Sequence, residues 1–157
     1  RTGPEQLLLL PPADGPESEL LKQKVSMQSF GQSQQFIAVI RLQPEQLQLV
    51  ALMPTGQQLF YLQYDGEKLI QKNTSSMDIP GEEILTIMQF ALWPSASISR
   101  HYRYEDGWVL DISPDKRTLA TDSGELIDVR YQQETLIIEN YLHNYQLKVQ
   151  SLDKMGP

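Results

Sequence analysis

Residues 36–64 read FIAVIRLQPEQLQLVALMPTGQQLFYLQY. Phe36, Ala38, Ile40 and Leu42 fall on one parity and Ile37 and Val39 on the other, and a chain whose side chains alternate with a period of two is a β-strand. After Pro44-Glu45, Leu47, Leu49, Ala51 and Met53 share one face against Gln46, Gln48, Val50 and Leu52. Pro54-Thr55-Gly56 turns the chain, and Phe60, Leu62 and Tyr64 then alternate with Leu59, Tyr61 and Gln63. Asp65-Gly66 follows, a dipeptide suited to a tight hairpin because both residues tolerate positive φ. Three strands joined by short turns form an antiparallel sheet.

Upstream, Val25 and Met27 alternate with polar neighbours before a Gly31-Gln32-Ser33 turn, and downstream Leu69 and Ile70 close the segment. The pattern then changes. Ile84, Ile87, Met88 and Ala91 recur at i, i+3, i+4 and i+7, with Pro80 near the start, Glu82 and Glu83 in the first turn and Trp93-Pro94 at the end. Because Leu85, Phe90 and Leu92 occupy the other sides, this helix has almost no polar face and is expected to plug the sheet. Short strands return at Tyr102–Tyr104, Trp108–Ile112, Lys116–Ala120, Glu125–Tyr131, Thr135–Tyr141 and Tyr145–Gln150, separated by turn residues. The expected class is mainly β with one capping helix, antiparallel α+β. Residues 1–21, with the Leu7 to Leu10 block among prolines and glycines, read as an extended lead-in, and residues 22–157 as a single domain.

Composition narrows the function. A net charge of −7 with no Lys/Arg cluster argues against nucleic acid, whose affinity comes largely from clustered cations. With no cysteine, disulfides, thiolate metal sites and Cys nucleophiles drop out together. The longest apolar run, Ile84 to Trp93 with one Gln inside, is far shorter than the ~20 residues that span a bilayer. GxSxG, GxGxxG and GxxxxGK[ST] strings are absent, and His101 and His143 lie far apart without metal-ligand spacing. No metal or cofactor is expected. Ser113-Pro114-Asp115-Lys116 fits SxxK, but a proline inside it and strands on both sides make it a β-turn. Glu105, Asp106, Asp111 and Asp115 are candidate carboxylates for an acid/base pair that read more simply as solvated turns, and His101 with Glu105 or Asp106 is a further, minor candidate pair.

What stands out is a sheet segment apolar on both faces. Such a sheet needs two covers. The helix is one, and the other is a ligand, a partner or a thicker ordinary core.

The run Gly56 to Gly66, then Ile79-Pro80, the helix from Glu83 to Pro94, and further Gly124-Glu125-Leu126-Ile127, Tyr131, Ile137 to Asn140 and Tyr145-Gln146-Leu147 resemble a family of LolB-like bacterial lipoproteins. The resemblance covers about Lys22 to Gln150. It implies a half-open LolA/LolB-like barrel around a hydrophobic cavity, and a lipid-modified N-terminal Cys in a lipobox lost just before Arg1. It also implies attachment to the periplasmic face of the outer membrane. Members of that family are often encoded beside fatty-acid-synthase-like aryl polyene genes, which implies handling of an acylated product. LolB-like receptors carry a Pro-Leu-Gly hairpin whose Leu engages the membrane; here the corresponding loop, Met53-Pro54-Thr55-Gly56, has Thr55 in that place.

The leading expectation is therefore a non-enzymatic carrier or acceptor of a lipid or acyl-chain ligand. Its binding residues would be Phe36, Ile40, Leu47, Leu49, Phe60, Leu62, Ile84, Ile87 and Met88, with apolar burial supplying the affinity. The runner-up is a non-catalytic scaffold in an envelope complex that recruits a lipoprotein or another envelope protein through a sheet edge.

Overall fold

A computed structural model describes residues 6–74 and 79–152. The first meander comprises β1 (Glu19–Ser29), β2 (Gln32–Leu42), β3 (Leu47–Leu52), β4 (Gln58–Tyr64) and β5 (Leu69–Asn73). Two helices follow, α1 (Gly81–Leu92) and α2 (Ser95–His101). The second meander comprises β6 (Val109–Ser113), β7 (Lys116–Thr121), β8 (Gly124–Gln132), β9 (Thr135–Asn140) and β10 (Tyr145–Ser151). All ten strands join one sheet in the order β5-β4-β3-β2-β1-β10-β9-β8-β7-β6. Each neighbouring pair is antiparallel, and β1 on β10 unites the halves. The sheet is not closed: β5 and β6 are its edges.

The register settles which face looks inward. Phe36, Ala38, Ile40 and Leu42 are buried, as are Leu47, Leu49 and Ala51 opposite them, while Ile37, Val39, Val50 and Leu52 are half-buried on the outside. The expected plug is present, for α1 is buried continuously from Ile84 to Ala91. A helix so enclosed leaves terminal peptide groups in need of partners. At its C-terminal end the Arg117 guanidinium donates to the carbonyls of Phe90 and Trp93, both at 2.7 Å, and the Tyr131 hydroxyl donates to that of Ala91 at 2.7 Å. A cation at that end also opposes the helix dipole.

The structure departs from the sequence reading in three places. The sheet begins earlier, at Glu19. Where a strand is expected from Tyr102 to Tyr104, α2 and a 3-10 turn (Tyr104–Asp106) carry the chain instead. Helix α2 has only Ser97 and Ile98 buried, too little for a recognisable stripe, and Tyr102 is drawn inward, edge-on to Phe90 and Trp108 with ring centroids 5.5 and 4.9 Å away.

The third departure is the lead-in, which is extended but integral to the core. Gln89 is fully buried, and its carboxamide acts like a neighbouring peptide: Leu10 N–H donates to Oε1 and Nε2–H donates to Leu10 O, both at 2.8 Å. Tyr102 Oη accepts from Leu8 N–H at 2.9 Å, and Trp93 Nε1–H donates to Pro11 O at 3.1 Å. Gly15 lies under the Trp93 ring, where a Cβ would stand 2.5 Å from a ring carbon. Residues 7–15 thus form a strap along the helices. Arg1 to Glu5 lie outside the described residues, as does the position before Arg1 where the lipid anchor is expected.

The strap ends in a charge clasp. Asp14 stands 2.6 Å from His101 Nε2 and 3.3 Å from the Arg100 guanidinium. His101 first, and Arg100 after it, hold the Asp14 carboxyl below the usual carboxylate range against the opposing effect of burial. A depressed carboxylate stabilises the fold above its unfolded pKa and loses that contribution as pH falls through its lowered folded value. Asp14→Asn is expected to cost about 0.5 to 1 kcal/mol at neutral pH, discounted for partial exposure. The difference should narrow as melts are recorded at progressively lower pH and the Asp14 carboxylate takes up its proton.

Gln89→Leu keeps the volume but strands the buried N–H and C=O of Leu10. The expected loss is about 2 to 4 kcal/mol in urea unfolding, with new protease cleavage ahead of β1.

Candidate functional site

Alternating strand direction places the β1–β2, β3–β4, β7–β8 and β9–β10 turns at one end of the sheet. Between them lies an opening. A cavity of about 600 Å³ is lined by Met27, Ser29, Phe30, Gln32 and Gln34 of the β1–β2 hairpin and by Pro80, Glu83, His143 and Tyr145. A second, of about 490 Å³, shares Ser29, Phe30, Gln32 and Tyr145 and continues to Glu139, Tyr141 and Asn144. A third, of about 270 Å³, lies where the strap passes the start of α1, between Leu7, Glu82, Glu83, Thr86, Leu142 and His143. The three together form the mouth of the half-barrel.

Its architecture rests on Glu83, in the first turn of α1, where a carboxylate also faces the positive end of the helix dipole. Glu83 Oε2 accepts from the Tyr145 hydroxyl and, at 3.3 Å, from Asn140 Nδ2, while Oε1 faces His143 Nδ1. Asn140 Oδ1 in turn accepts from the His143 backbone N–H at 3.0 Å. Burial, and after it the Glu83 carboxylate, push the Tyr145 hydroxyl up, so it stays protonated and donates. Both Glu83 oxygens are engaged. The network fastens α1 to β9 and β10 and gives one wall of the mouth a polar lining.

The opposite wall is amphipathic. Met27 and Gln34 face each other across the β1–β2 ladder on the inward parity, directly above Val25 and Phe36. Gln34 Oε1 is buried and has no hydrogen-bond partner among the described residues. Phe30 caps the hairpin in the left-handed region, φ 50°, followed by Gly31 at φ 79°, and is 87% exposed. No other large apolar side chain among the described residues stands so far into solvent.

All nine residues expected to bind ligand are brought together, but as one continuous buried core. Phe36 and Phe60 meet edge to face at 6.0 Å, and α1 occupies the concave space with Ile84, Ile87 and Met88. Of the nine, Phe60 and Leu62 border an opening, a crevice of about 40 Å³ shared with Ile79 and Gly81. The loop Met53-Pro54-Thr55-Gly56 lies at the mouth end, with Met53 half-buried against the core and the other three exposed. It is closed by Gly56 N–H donating to Met53 O and Met53 N–H to Gln57 O, each at 2.7 Å, with Gly56 at φ 100°.

The remaining polar candidates separate. His101 pairs with Asp14, while Glu105 and Asp106 each stand 3.5 Å from Arg103. Ser113 and Lys116 pair across the two-residue turn between β6 and β7, as the turn reading requires, and Lys116 Nζ points to Asp128 at 3.9 Å. Among the described residues no group of three or more His, Asp or Glu is arranged to hold a metal ion.

Sequence reasoning missed Phe30 and the Glu83 network. An aromatic directly before a turn glycine was a legible sign that the hairpin tip is apolar. The network carried no such sign, since Asn140 and Tyr145 stand 57 and 62 residues from Glu83.

The chain belongs to the family described as "Protein of unknown function (DUF3261)", which matches residues 20–153. No curated protein matches the chain.

Proposed function

We propose that this DUF3261 family member is a LolB-like carrier or acceptor of an acylated, lipid-like ligand, held by an N-terminal lipid anchor at the periplasmic face of the outer membrane. The ligand enters at the mouth between the β1–β2 hairpin and the first turn of α1. The observation that carries the reading is the opening of about 600 Å³, within the ~300–1,000 Å³ usual for ligand pockets, set at one end of a half-open sheet directly above its apolar core. Met27, Phe30 and Pro80 offer apolar contact there, and Gln32 and Gln34 line the same opening with carboxamides suited to a polar head group.

The nine core residues then take a second role. An acyl chain bound at the mouth extends it, and deeper entry requires α1 to shift from the sheet. Support for that path lies in how α1 is fixed at its start: polar contacts from Glu83 to Tyr145, Asn140 and His143 can open without exposing the core around Phe90.

An environment-sensitive fluorescent fatty acid tests the site. Wild-type protein is expected to enhance its emission, and Met27→Trp or Gln34→Trp, at the half-exposed rim, to reduce that enhancement several-fold with little change in melting temperature. Ile40→Trp, in the closed core, is expected to cost about 1 to 3 kcal/mol by overpacking. Absence of probe uptake by the wild type removes the carrier reading. Fatty-acid labelling of the full-length precursor in cells tests the anchor separately.

A further inference from the structure

The outer face of the first meander is uncovered, and its register can be read strand by strand. Ile37 and Val39 on β2 lie beside Leu52 and Val50 on β3, and Val50 lies beside Tyr61 on β4. These five are half-buried and form one contiguous apolar centre. Cations surround it. Lys22 and Lys24 flank Val39 and Ile37 from β1, Lys72 flanks Tyr61 from β5, and Arg41 stands next to Gln48 at the far end. Leu20 and Ile70, 42% and 40% exposed, complete the corners of the same face.

No carboxylate projects from it. The one acidic residue in β1–β5, Glu19, lies on the opposite parity, paired with Leu42, and Glu17, Glu45, Asp65 and Glu67 lie outside the strands at the end away from the mouth. Among the described residues, none of the four cations has an ion-pair partner. The second meander differs, because Lys116 and Arg130 on its outer face both reach Asp128, at 3.9 and 3.8 Å. In a chain of net charge −7, four uncompensated cations around an apolar centre are a local reversal of sign.

We infer that this face docks an acidic protein partner, one presenting an apolar centre with Asp and Glu around it. Charge complementarity names the sign of the partner, and an apolar centre inside a polar rim is the anatomy of a protein interface. The shape argues for protein over bilayer. The five central residues are all half-buried, and Tyr61, the largest, is tied down through its hydroxyl to Gln63 on its own strand, whereas a membrane-seating surface projects its apolar groups. The sheet edges fit the task less well, since β5 and β6 have five residues each and carry Lys72 and Asp111, and short charged edges resist strand addition. Five strands about 4.8 Å apart give a footprint roughly 20 to 25 Å across, enough for a reversible encounter. The inference is independent of the mouth and its ligand.

The test places a photoreactive amino acid at the centre of the face, Tyr61→p-benzoylphenylalanine, in the full-length protein within the cells that make it. The expected result is a discrete protein adduct whose cross-linked peptide is rich in Asp and Glu. Its yield should fall roughly tenfold in K22E/K24E/K72E, as loss of complementary rim charges predicts, and persist in K22R/K24R/K72R. A charge-reversed copy of the identified partner should restore it. Melting curves establish that the variants fold, and K22Q/K24Q/K72Q substitutes should the reversal unfold the chain. An adduct with lipid alone together with co-sedimentation on phosphatidylglycerol vesicles, an adduct with a second copy of the chain, a yield insensitive to charge, or no adduct would each overturn the inference.

Discussion

The structure depends on enclosing α1. An open sheet has one face that curls and no partner strand to close it, so its concave side must be filled by something apolar in every direction. The run Ile84 to Ala91 meets that requirement. Its enclosure creates the second requirement, because peptide groups at the ends of a dehydrated helix cannot turn to water. Arg117 and Tyr131 meet it at the C-terminal end, and the first turn is held separately, by side-chain bonds from Tyr145 and Asn140 to Glu83. All of these partners come from the second meander. The helix is thus pinned to β7–β10 and held against β1–β4 by apolar packing alone, which has no direction and tolerates sliding better than hydrogen bonds do.

The strap follows from the same constraint. With β5 and β6 unpaired, the side of α1 that faces the gap would meet water, and Leu10 with its neighbours covers it. A strand cannot extend the sheet there, so Gln89 supplies from the helix the donor and acceptor that a neighbouring strand would have offered. Trp93, fully buried, then fixes where the strap turns, and Gly15 is the residue that allows it, since a side chain there would strike the ring. These contacts cover the end of the half-barrel where α1 finishes and leave the end bearing Phe30 open, where the mouth cavities lie.

How far the sequence could be read differs between these parts. Period-two alternation from Phe36 to Tyr64 is local information, and it located β2, β3 and β4, as the i, i+3, i+4 spacing of Ile84, Ile87 and Met88 located α1. It could not choose a face, because Ile37 and Val39 are nearly as apolar as Phe36, Ala38 and Ile40; the choice comes from where α1 lies. Helix α2 was illegible because its two buried residues, Ser97 and Ile98, make no stripe. The strap was illegible for a different reason: four leucines between prolines have no period, and only Gln89, 79 residues away, gives them a place. The mouth is of the same kind. Its polar wall assembles Glu83, Asn140, His143 and Tyr145 from a helix and a distant hairpin, a juxtaposition that topology makes and spacing does not.

The two apolar faces of β2 and β3, which looked like a single puzzle in the sequence, have separate solutions. Burial on the inward face is satisfied by α1, so nothing about that face requires a ligand for the fold to be stable. On the outward face the half-exposed Ile37, Val39, Val50 and Leu52 contribute less to stability, and the β-branched residues at the first three of those places are accounted for partly by strand propensity alone. Propensity does not account for the charges. Solubility would be served as well by carboxylates, which dominate the rest of the chain, and mixed signs would compensate one another as Asp128 does for Lys116 and Arg130. Four cations without a carboxylate among them raise the local potential and lower the stability of the isolated face by mutual repulsion, an arrangement that is offset when an opposite charge arrives from outside the chain.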